Sequence, residues 1–388
     1  MATPIHIADY SVACALGADR EAVAAALFAA EPVRLSGEAT LTTGRVVPVG
    51  RLPFDLDGPA HETRTNQILA HCFAPLKDAV EAAKARYGAD RIGVVIGTST
   101  SGIGEAGEAL KARLATDQWP EGFSIRPQQL GDSAAFTARL AGVQGPYFSV
   151  STACTSGGRA LASAARLIQS GLCDVVICGG ADSLCDLTLN GFSALGSLSG
   201  VVCAPMSANR DGLNLGEGGA LFLLTREPGP YRLAGWAGSV DGHHMSAPDP
   251  TGRGAEAAMR AALTMAGLEG DAGRKAVDFI HLHGTATPLN DQMEAHVVER
   301  VFGLDTPAAS TKALTGHTLG AAGAIQAALC LLAMEQGQLP PHVWDGERDP
   351  ELPVIRLAQA GETASLKTIL SASYAFGGNN VALVLTAV

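Results

Sequence analysis

The chain has 388 residues, of which 47% are hydrophobic and 17% are charged, and its formal net charge is −11. This composition excludes a disordered chain, and the length suits two or three lobes around a sizeable core. The acidic balance, with no cluster of Lys and Arg, argues against nucleic-acid binding.

Short apolar runs alternate with Ala-rich stretches, which predicts strands alternating with helices in an α/β fold with mixed sheets. The predicted strands are Ile5–Ala8, Ile92–Ile96, Tyr147–Val150, Val175–Cys178, Ala220–Thr225, Tyr231–Val240, Phe279–Leu282, Thr368–Ser371 and Val381–Thr386. The predicted helices are Arg20–Ala30, Arg64–Tyr87 with a break at Pro75, Gly104–Ala115, Ala134–Ala141, Ser156–Ser170, Arg253–Ala266, Asp291–Phe302 and Gly320–Gln336.

No apolar run is long enough for membrane insertion, and the uncharged stretch Leu319–Met334 is interpreted as a buried helix because it contains Gln326 and two glycines. The first residues carry no basic segment of a secretion signal, so we expect a soluble, cytoplasmic protein. The eight cysteines are then expected to be reduced. The four between positions 173 and 203 fit no zinc-binding spacing.

Three sequence landmarks occur twice in the same order, at separations of 187, 159 and 161 positions. The pairs are Ile96–Thr100 with His283–Thr287, Ser151–Cys154 with Ser310–Ala313, and Gly216–Thr225 with Gly377–Thr386. The ordered matches predict a duplicated α/β unit with halves at residues 1–229 and 230–388. A duplication brings equivalent strand ends together, so residues of both halves can share one site.

Cys154 is a candidate nucleophile because it lies between a predicted strand and the start of a predicted helix. Unpaired backbone N–H groups and the helix dipole favour the thiolate form there. Gly157 and Gly158 leave room for another backbone or for a long substrate arm. An ordinary buried cysteine is an equally good interpretation of Cys154 taken alone.

His283 follows the predicted strand Phe279–Leu282, and His317 lies just before a predicted Gly/Ala-rich helix. Lys312 lies five residues before His317. Neutral imidazoles donate hydrogen bonds to a developing oxyanion or enolate. A thiol protease or a zinc site does not account for two histidines, a lysine and Gly-Thr turns together. The other histidines considered are interpreted as ordinary strand, loop or helix-surface residues: His243, His244, His281 and His296.

Four motifs resemble the β-ketoacyl-acyl-carrier-protein synthases, which are decarboxylating condensing enzymes with a thiolase-like fold of duplicated, layered α/β halves. They are Ser151-Thr-Ala-Cys154-Thr-Ser-Gly157, His283-Gly-Thr-Ala-Thr287, Lys312-x4-His317 with Thr318-Leu-Gly-Ala-Ala-Gly323, and Ala375-Phe-Gly-Gly-Asn379. The resemblance is close from about Gly145 to the C-terminus and looser before it.

The resemblance implies that Cys154 carries the acyl group as a thioester. It further implies that His283 and His317 assist decarboxylation of a malonyl thioester and that Lys312 has a structural and electrostatic role beside them. The backbone N–H groups of Cys154 and Phe376 correspond to the family's oxyanion hole, and the Phe376 side chain corresponds to its gate.

Other residues match family positions that bind the substrate arm or have a structural role. Thr285 and Thr287 match residues that bind the phosphopantetheine arm, and Asp291 and Glu294 match acidic residues of structural type. The resemblance implies no metal or redox cofactor, substrates carried on acyl carrier protein, and a homodimer or a heterodimer with a chain-length-factor subunit.

One position departs from the family pattern. Many members carry Glu nine residues after the second histidine as an ion-pair partner of the lysine, whereas this chain has Gln326. Two expectations follow. Either the Gln326 amide hydrogen-bonds Lys312 without neutralising its charge, or the lysine has a different partner. Within the family, three segments look most like ketosynthases of aryl polyene pathways: Gly97–Gly102, Thr287–Gln292 and Phe376–Asn380.

Two other functions remain open from the sequence. Gly102-Ile-Gly-Glu-Ala-Gly107 has the GxGxxG pattern of dinucleotide binding and follows a predicted strand, which would suit an oxidoreductase. The second open function is that of a non-catalytic subunit, which shapes the tunnel of another chain. Since carrier proteins are acidic, Arg64, Arg126 and Arg210 are candidates for a local basic docking patch.

Overall fold

The computed structural model describes residues 3–32, 34–35, 37–57 and 62–388. Strands β1 to β12 are, in chain order, His6–Ala13, Gly37–Thr40, Val46–Val49, Ile92–Gly97, Tyr147–Val150, Val175–Asp182, Gly218–Thr225, Tyr231–Val240, Phe279–His281, Ala308–Ala309, Thr368–Ala375 and Asn379–Ala387. Helices α1 to α12 are Arg20–Leu27, Arg64–Phe73, Lys77–Tyr87, Ile103–Thr116, Asp132–Ala141, Ser156–Gln169, Asp186–Ala194, Arg253–Met265, Gly270–Lys275, Pro288–Phe302, Lys312–Thr315 and Ala322–Gln336.

Ten strands form one mixed sheet in the order β10-β9-β11-β12-β8-β1-β7-β6-β4-β5. In the first half, β4 pairs in parallel with β5 and β6, and β7 lies antiparallel between β6 and β1. In the second half, β9 pairs in parallel with β10 and β11, and β12 lies antiparallel between β11 and β8. The two halves therefore have the same topology, which confirms the predicted duplication.

The halves meet through a short antiparallel pairing of β1 with β8 and through two central helices. Helices α6 and α12 contact each other and contact strands of both halves. On the outer faces, α2 and α5 cover the first half, and α8 covers the second with α10 packed against it. This layered arrangement is the predicted α/β architecture of thiolase-like type.

Helix α12 is the buried helix that the sequence predicted. Its residues from Ala322 to Ala333 are all buried. The stretch Leu319–Gln336 is long and apolar enough to cross a membrane, but 83% of it is buried inside the protein. It is therefore a core helix between the two halves.

The sequence did not predict β2, β3, β10, α7, α9 or α11. The strands among them have two to four residues, and α9 and α11 have six and four. Such short segments carry too few residues to show a period of 2 or 3.6. The nine residues of α7 include only one buried residue, Leu189, so its sequence lacks an apolar stripe.

The central helices cross at a point where glycines let their backbones touch. A Cβ atom on Gly157 would lie 2.7 Å from the backbone nitrogen of Ala324, and one on Gly323 would lie 2.8 Å from that of Gly158. Another backbone, rather than a substrate arm, thus occupies the room that Gly157 leaves. The crossing brings the N-terminal ends of α6 and α12 together.

We predict that Gly157→Ala lowers the free energy of unfolding by about 1–3 kcal/mol, because the new methyl group overpacks against a backbone that cannot rotate away. Urea denaturation of the purified protein measures the change. Gly107→Ala is the matched control, since no atom lies within 4 Å of a Cβ there. Equal destabilisation by both substitutions would show that the helix crossing tolerates a methyl group.

Candidate active site

A tight turn between β5 and α6 positions Cys154. Ala153 adopts φ +52°, a conformation that costs energy for a residue with a side chain and recurs at functional sites. Ser156 fixes the turn, because its Oγ accepts a hydrogen bond from the Thr152 N–H at 2.9 Å and donates one to the Ala153 carbonyl at 2.6 Å. The thiol thereby lies at the N-terminal end of α6, 6% exposed.

His317 of the second half lies against this thiol. The distance from its Nε2 to Cys154 Sγ is 3.0 Å. Its backbone is held by the first half, since the His317 N–H donates to the Asn214 carbonyl at 2.7 Å and the His317 carbonyl accepts from the Gly216 N–H at 3.0 Å. The structure therefore joins the two halves at the reacting groups.

His283 completes the cluster from the turn after β9. Its ring centroid lies 5.3 Å from that of His317, and the rings are nearly perpendicular at 86°. One nitrogen of each imidazole and Cys154 Sγ all lie within 4.8 Å of one another. A cysteine sulfur and two imidazole nitrogens at this spacing can coordinate a metal ion. The Lys312 cation, which acts electrostatically on the thiol and on both imidazoles, disfavours a second cation there.

Burial sets the protonation states of the cluster. It raises the pKa of the Cys154 thiol to about 11, against the opposing effects of the Lys312 charge and of the backbone N–H groups of Cys154 and Phe376. The expectation that the helix end favours thiolate is thus outweighed in the resting site by loss of solvent. Burial and Lys312 hold the pKa of both His283 and His317 well below the ordinary value, so both imidazoles are neutral.

A buried pair of charges clamps the backbone of His283. Both oxygens of Glu294 accept hydrogen bonds, from the His283 and Gly284 N–H groups at 2.7 Å each, and Lys312 Nζ donates to the His283 carbonyl. Asp291 holds the same turn by accepting from the Ala286 N–H at 3.2 Å. Loss of solvent raises the pKa of Glu294 and lowers that of Lys312.

Gln326 does not hold Lys312 in the part of the chain that the structure describes. Its amide instead contacts His281, Ser373 and the backbone carbonyl groups of Leu282 and Ala372. The expectation of a Gln326–Lys312 hydrogen bond was therefore wrong. The alternative expectation, that the lysine has a different partner, was correct. Lys312 donates to the His283 carbonyl and interacts electrostatically with Glu294.

A cavity of about 280 Å³ opens onto the three reacting groups. Thr285 and Thr287 line it, with their Oγ1 atoms 2.8 Å apart. Phe376 lies on the wall beside Phe192, with ring centroids 5.6 Å apart. Lys312 lies behind the cavity wall and reaches the site through the His283 carbonyl.

Sequence reasoning missed Asp182, which connects the halves beside the site. This fully buried carboxylate accepts hydrogen bonds from the Ser99 and Thr100 N–H groups at 2.8 Å each and from the Gly320 N–H of the second half. The available signal was an aspartate ending the uniformly apolar strand β6. A buried carboxylate in that position requires hydrogen-bond donors around it. The sequence does not show that one of them is the backbone N–H of Gly320.

Two of the three arginines proposed for carrier-protein docking have internal roles. Arg210 is buried and pairs with Asp349, and Arg64 forms a bidentate ion pair with the fully buried Glu217 at 2.6 and 2.7 Å. The Arg210 side chain is only 8% exposed, which leaves it too enclosed for a partner, so that assignment was wrong. The Arg64 side chain is 37% exposed, and its docking role stays a prediction. Arg126 has a side chain that is 61% exposed, and its docking role stays a prediction.

The fold and the cluster define a condensing-type acyltransferase, and comparisons with known proteins give the family. The model of the Beta-ketoacyl synthase N-terminal domain matches residues 57–228, and that of the C-terminal domain matches residues 232–344. The chain therefore belongs to the β-ketoacyl synthase family.

Three relatives show how close the similarity is. The ketosynthase ApeO of Xenorhabdus doucetiae, solved in complex with its chain length factor ApeC, is 39% identical with a TM-score of 0.94 over 100% of this chain and 98% of that one. Nodulation protein E of Rhizobium meliloti is 33% identical over 76% of this chain and 75% of its own length. A 3-oxoacyl-[acyl-carrier-protein] synthase 2 of Synechocystis is 32% identical over 76% and 74%.

Family membership decides against the oxidoreductase interpretation of the GxGxxG pattern. In the structure this segment is the start of α4, and a Cβ on Gly102 would lie 2.5 Å from the Pro127 carbonyl oxygen. Its glycine permits close packing of a neighbouring loop. The pattern therefore arises from packing in a glycine-rich chain.

We predict that alkylation of Cys154 by iodoacetamide rises about ten-fold per pH unit between pH 7 and pH 10, since the thiolate fraction grows at that rate below the pKa. Peptide mass spectrometry follows the modification at this one cysteine. Lys312→Met should slow it most at pH 7, where the lysine is charged and stabilises the thiolate. The effect should shrink towards pH 10, because burial lowers the pKa of Lys312 to about 8. A rate already constant at pH 7 would contradict a raised pKa.

Proposed function

We propose that this chain is the catalytic ketosynthase subunit of an aryl polyene-type system and that Cys154, His283 and His317 perform its condensation. The observation that carries the proposal is the 3.0 Å contact of Cys154 Sγ with His317 Nε2, beside a second neutral imidazole. A non-catalytic subunit has no need of a thiol in such contact. The similarity to ApeO and the three aryl polyene-like segments support the subfamily.

In the first step Cys154 takes the acyl group from its carrier. The Cys154 thiol reacts as its thiolate, which the Lys312 charge and the backbone N–H groups of Cys154 and Phe376 favour. The sulfur attacks the thioester carbonyl, and the proton it has lost is taken up by the departing sulfur of the carrier. The tetrahedral oxyanion accepts hydrogen bonds from the backbone N–H groups of Cys154 and Phe376, both of which already face the sulfur. Collapse breaks the bond to the carrier's sulfur, which leaves as a thiol, and Cys154 keeps the acyl group.

In the second step the malonyl thioester loses CO2. The electron pair of the broken C–C bond forms an enolate, whose oxygen accepts hydrogen bonds from the neutral imidazoles of His283 and His317. The enolate carbon then attacks the acyl-cysteine carbonyl, and the Cys154 thiolate leaves. The product is a β-ketoacyl chain on the carrier, and no metal or redox cofactor enters the balance.

The cavity wall suits a substrate on a phosphopantetheine arm. Thr285 and Thr287 present two hydroxyl groups to the cavity, which we assign to the amides of the arm. We assign the role of a gate to the aromatic pair Phe192 and Phe376 on the same wall. The substrates are thus delivered by acyl carrier protein. Their production inside the cell supports a cytoplasmic location.

A partner subunit is expected on the edge of the sheet at β5. This edge strand presents Tyr147 and Phe148 at 54% and 39% exposure, and α5 beside it exposes Leu140 at 43%. Within the described helix α4, no residue is buried, and Leu114 is 79% exposed. An open edge with apolar neighbours favours pairing with another chain. We propose a chain-length-factor subunit as that chain.

We predict that Cys154→Ala abolishes transfer of a radiolabelled acyl group from acyl carrier protein to the enzyme, whereas His283→Ala and His317→Ala retain the label. Both histidine variants should lose release of CO2 from malonyl carrier protein by at least about 100-fold, the scale of one oxyanion donor. Equal labelling of Cys154→Ala, or normal decarboxylation by either histidine variant, contradicts the assigned roles.

We predict that Phe148→Asp prevents co-purification of the chain with its chain-length-factor subunit, because a buried unpaired carboxylate is strongly unfavourable. Val354→Asp is the matched control on a valine of the second half that is 60% exposed. Light scattering of the eluted complex reports its composition. A stable dimer of this chain alone, sensitive to Phe148→Asp, would favour the homodimer instead.

A further inference from the structure

Gln326 makes a set of contacts that only an amide with this orientation satisfies. Its Nε2 lies 2.9 Å from His281 Nδ1, 3.0 Å from the Leu282 carbonyl oxygen and 3.2 Å from the Ala372 carbonyl oxygen. Ser373 Oγ donates to its Oε1 at 3.2 Å. Backbone carbonyls only accept, so a flipped amide would place oxygen against oxygen. The donor end therefore faces the two carbonyl oxygens.

His281 contacts the same carbonyl as Gln326. Its Nδ1 lies 3.2 Å from the Leu282 carbonyl oxygen and 2.9 Å from Gln326 Nε2, and its Nε2 lies 3.3 Å from Thr311 Oγ1. Burial and the Lys312 charge lower the pKa of His281 to about 3, which keeps the ring neutral.

The contact with Leu282 is significant because its carbonyl belongs to the peptide group that precedes His283. Gln326 holds the oxygen of that peptide, and Glu294 holds its N–H at 2.7 Å. The next peptide is held by Lys312 at the oxygen and by Glu294 at the Gly284 N–H. Both peptide groups that set the direction of the His283 side chain are thus bound at both ends.

We propose that Gln326 and His281 are positioning residues of the condensation: a neutral pair that fixes the peptide before His283 and so aims its imidazole at the malonyl thioester. This role rests on the proposed function of His283. The pair also explains the departure from the family pattern. Glu at position 326 would present a negative oxygen to the carbonyl oxygens of Leu282 and Ala372.

The charged groups around the pair come from several elements. Lys312 on α11 is the cation whose field reaches His281. Glu294 on α10 binds the far side of the same peptide, and Asp182 on β6 binds Gly320 at the start of the segment that leads into α12. From β11 the pair meets a hydroxyl, Ser373, rather than a charge. A new carboxylate at position 326 would keep the Ser373 hydroxyl as a donor to one oxygen. Its other oxygen would face carbonyl oxygens unless the carboxyl is protonated or His281 or Lys312 shifts.

The test is Gln326→Glu, with Gln336→Glu as the matched control at the exposed end of the same helix. At pH 8 we expect Gln326→Glu to lower the kcat of malonyl decarboxylation by about ten-fold or more, since a small displacement of a reacting group has an effect of that order. The KM and the acylation of Cys154 should stay within about two-fold of the wild type, since Gln326 acts on His283 alone.

The pH profile separates positioning from a general loss of structure. As the pH falls, the buried carboxyl protonates and supplies an O–H donor, so the deficit of Gln326→Glu should shrink. Gln326→Met offers no donor at any pH, and its deficit should stay constant. A deficit of Gln326→Glu that equals that of Gln326→Met at all pH values, or wild-type decarboxylation by Gln326→Glu at pH 8, would overturn the proposal.

Substitution of the histidine gives a second, independent measurement. His281→Asn keeps an acceptor for the Gln326 amide and should decarboxylate within about three-fold of the wild type, whereas His281→Leu removes it and should lose about ten-fold. Equal rates for the two variants would also overturn the proposal. If His283→Ala itself decarboxylates normally, the proposed function fails; if it is inactive while Gln326→Glu is normal, only the positioning role fails.

Discussion

The molecule depends on the close contact of two helices that belong to different halves of a duplicated chain. Gly157 and Gly323 let the backbones of α6 and α12 approach until a single added methyl group would overlap. Because Cys154 precedes one helix and His317 precedes the other, this contact sets the distance between sulfur and imidazole. The glycines at this helix crossing are thus needed for the geometry of the site as well as for the packing of the core.

Burial of this junction explains the chemistry of the groups around it. Loss of solvent keeps the thiol protonated and both imidazoles neutral, which is the state in which the imidazoles donate hydrogen bonds to an enolate. Two of the buried charged groups near it, Lys312 and Glu294, are bound to the backbone of the turn that carries His283. They hold geometry in place, because buried charges of this kind require complete sets of partners.

The sequence was sufficient for the features that are encoded locally. Cys154, His283 and His317 lie at strand-to-helix junctions, and apolar periodicity with ordered repeats was enough to predict the duplicated architecture. Asp182, the internal pairing of Arg64 with Glu217 and the contact of Gln326 with His281 were not predictable. In each of these the partners are separated by 45 to 153 positions, so only the folded chain shows which donor meets which acceptor.

Gln326 shows how a departure from a family pattern is explained by its neighbours. Considered beside Lys312 alone, the change from Glu to Gln removes an ion-pair partner and looks like a loss. Considered beside His281 and two backbone carbonyls, it supplies the two N–H donors that the Leu282 and Ala372 carbonyl oxygens need. The lysine is then balanced from α10 by Glu294, and α12 contributes a neutral hydrogen-bonding group in place of a charge. A substitution in a buried network is therefore interpreted together with every group that its side chain faces, because the acceptors at one position determine which side chain satisfies them.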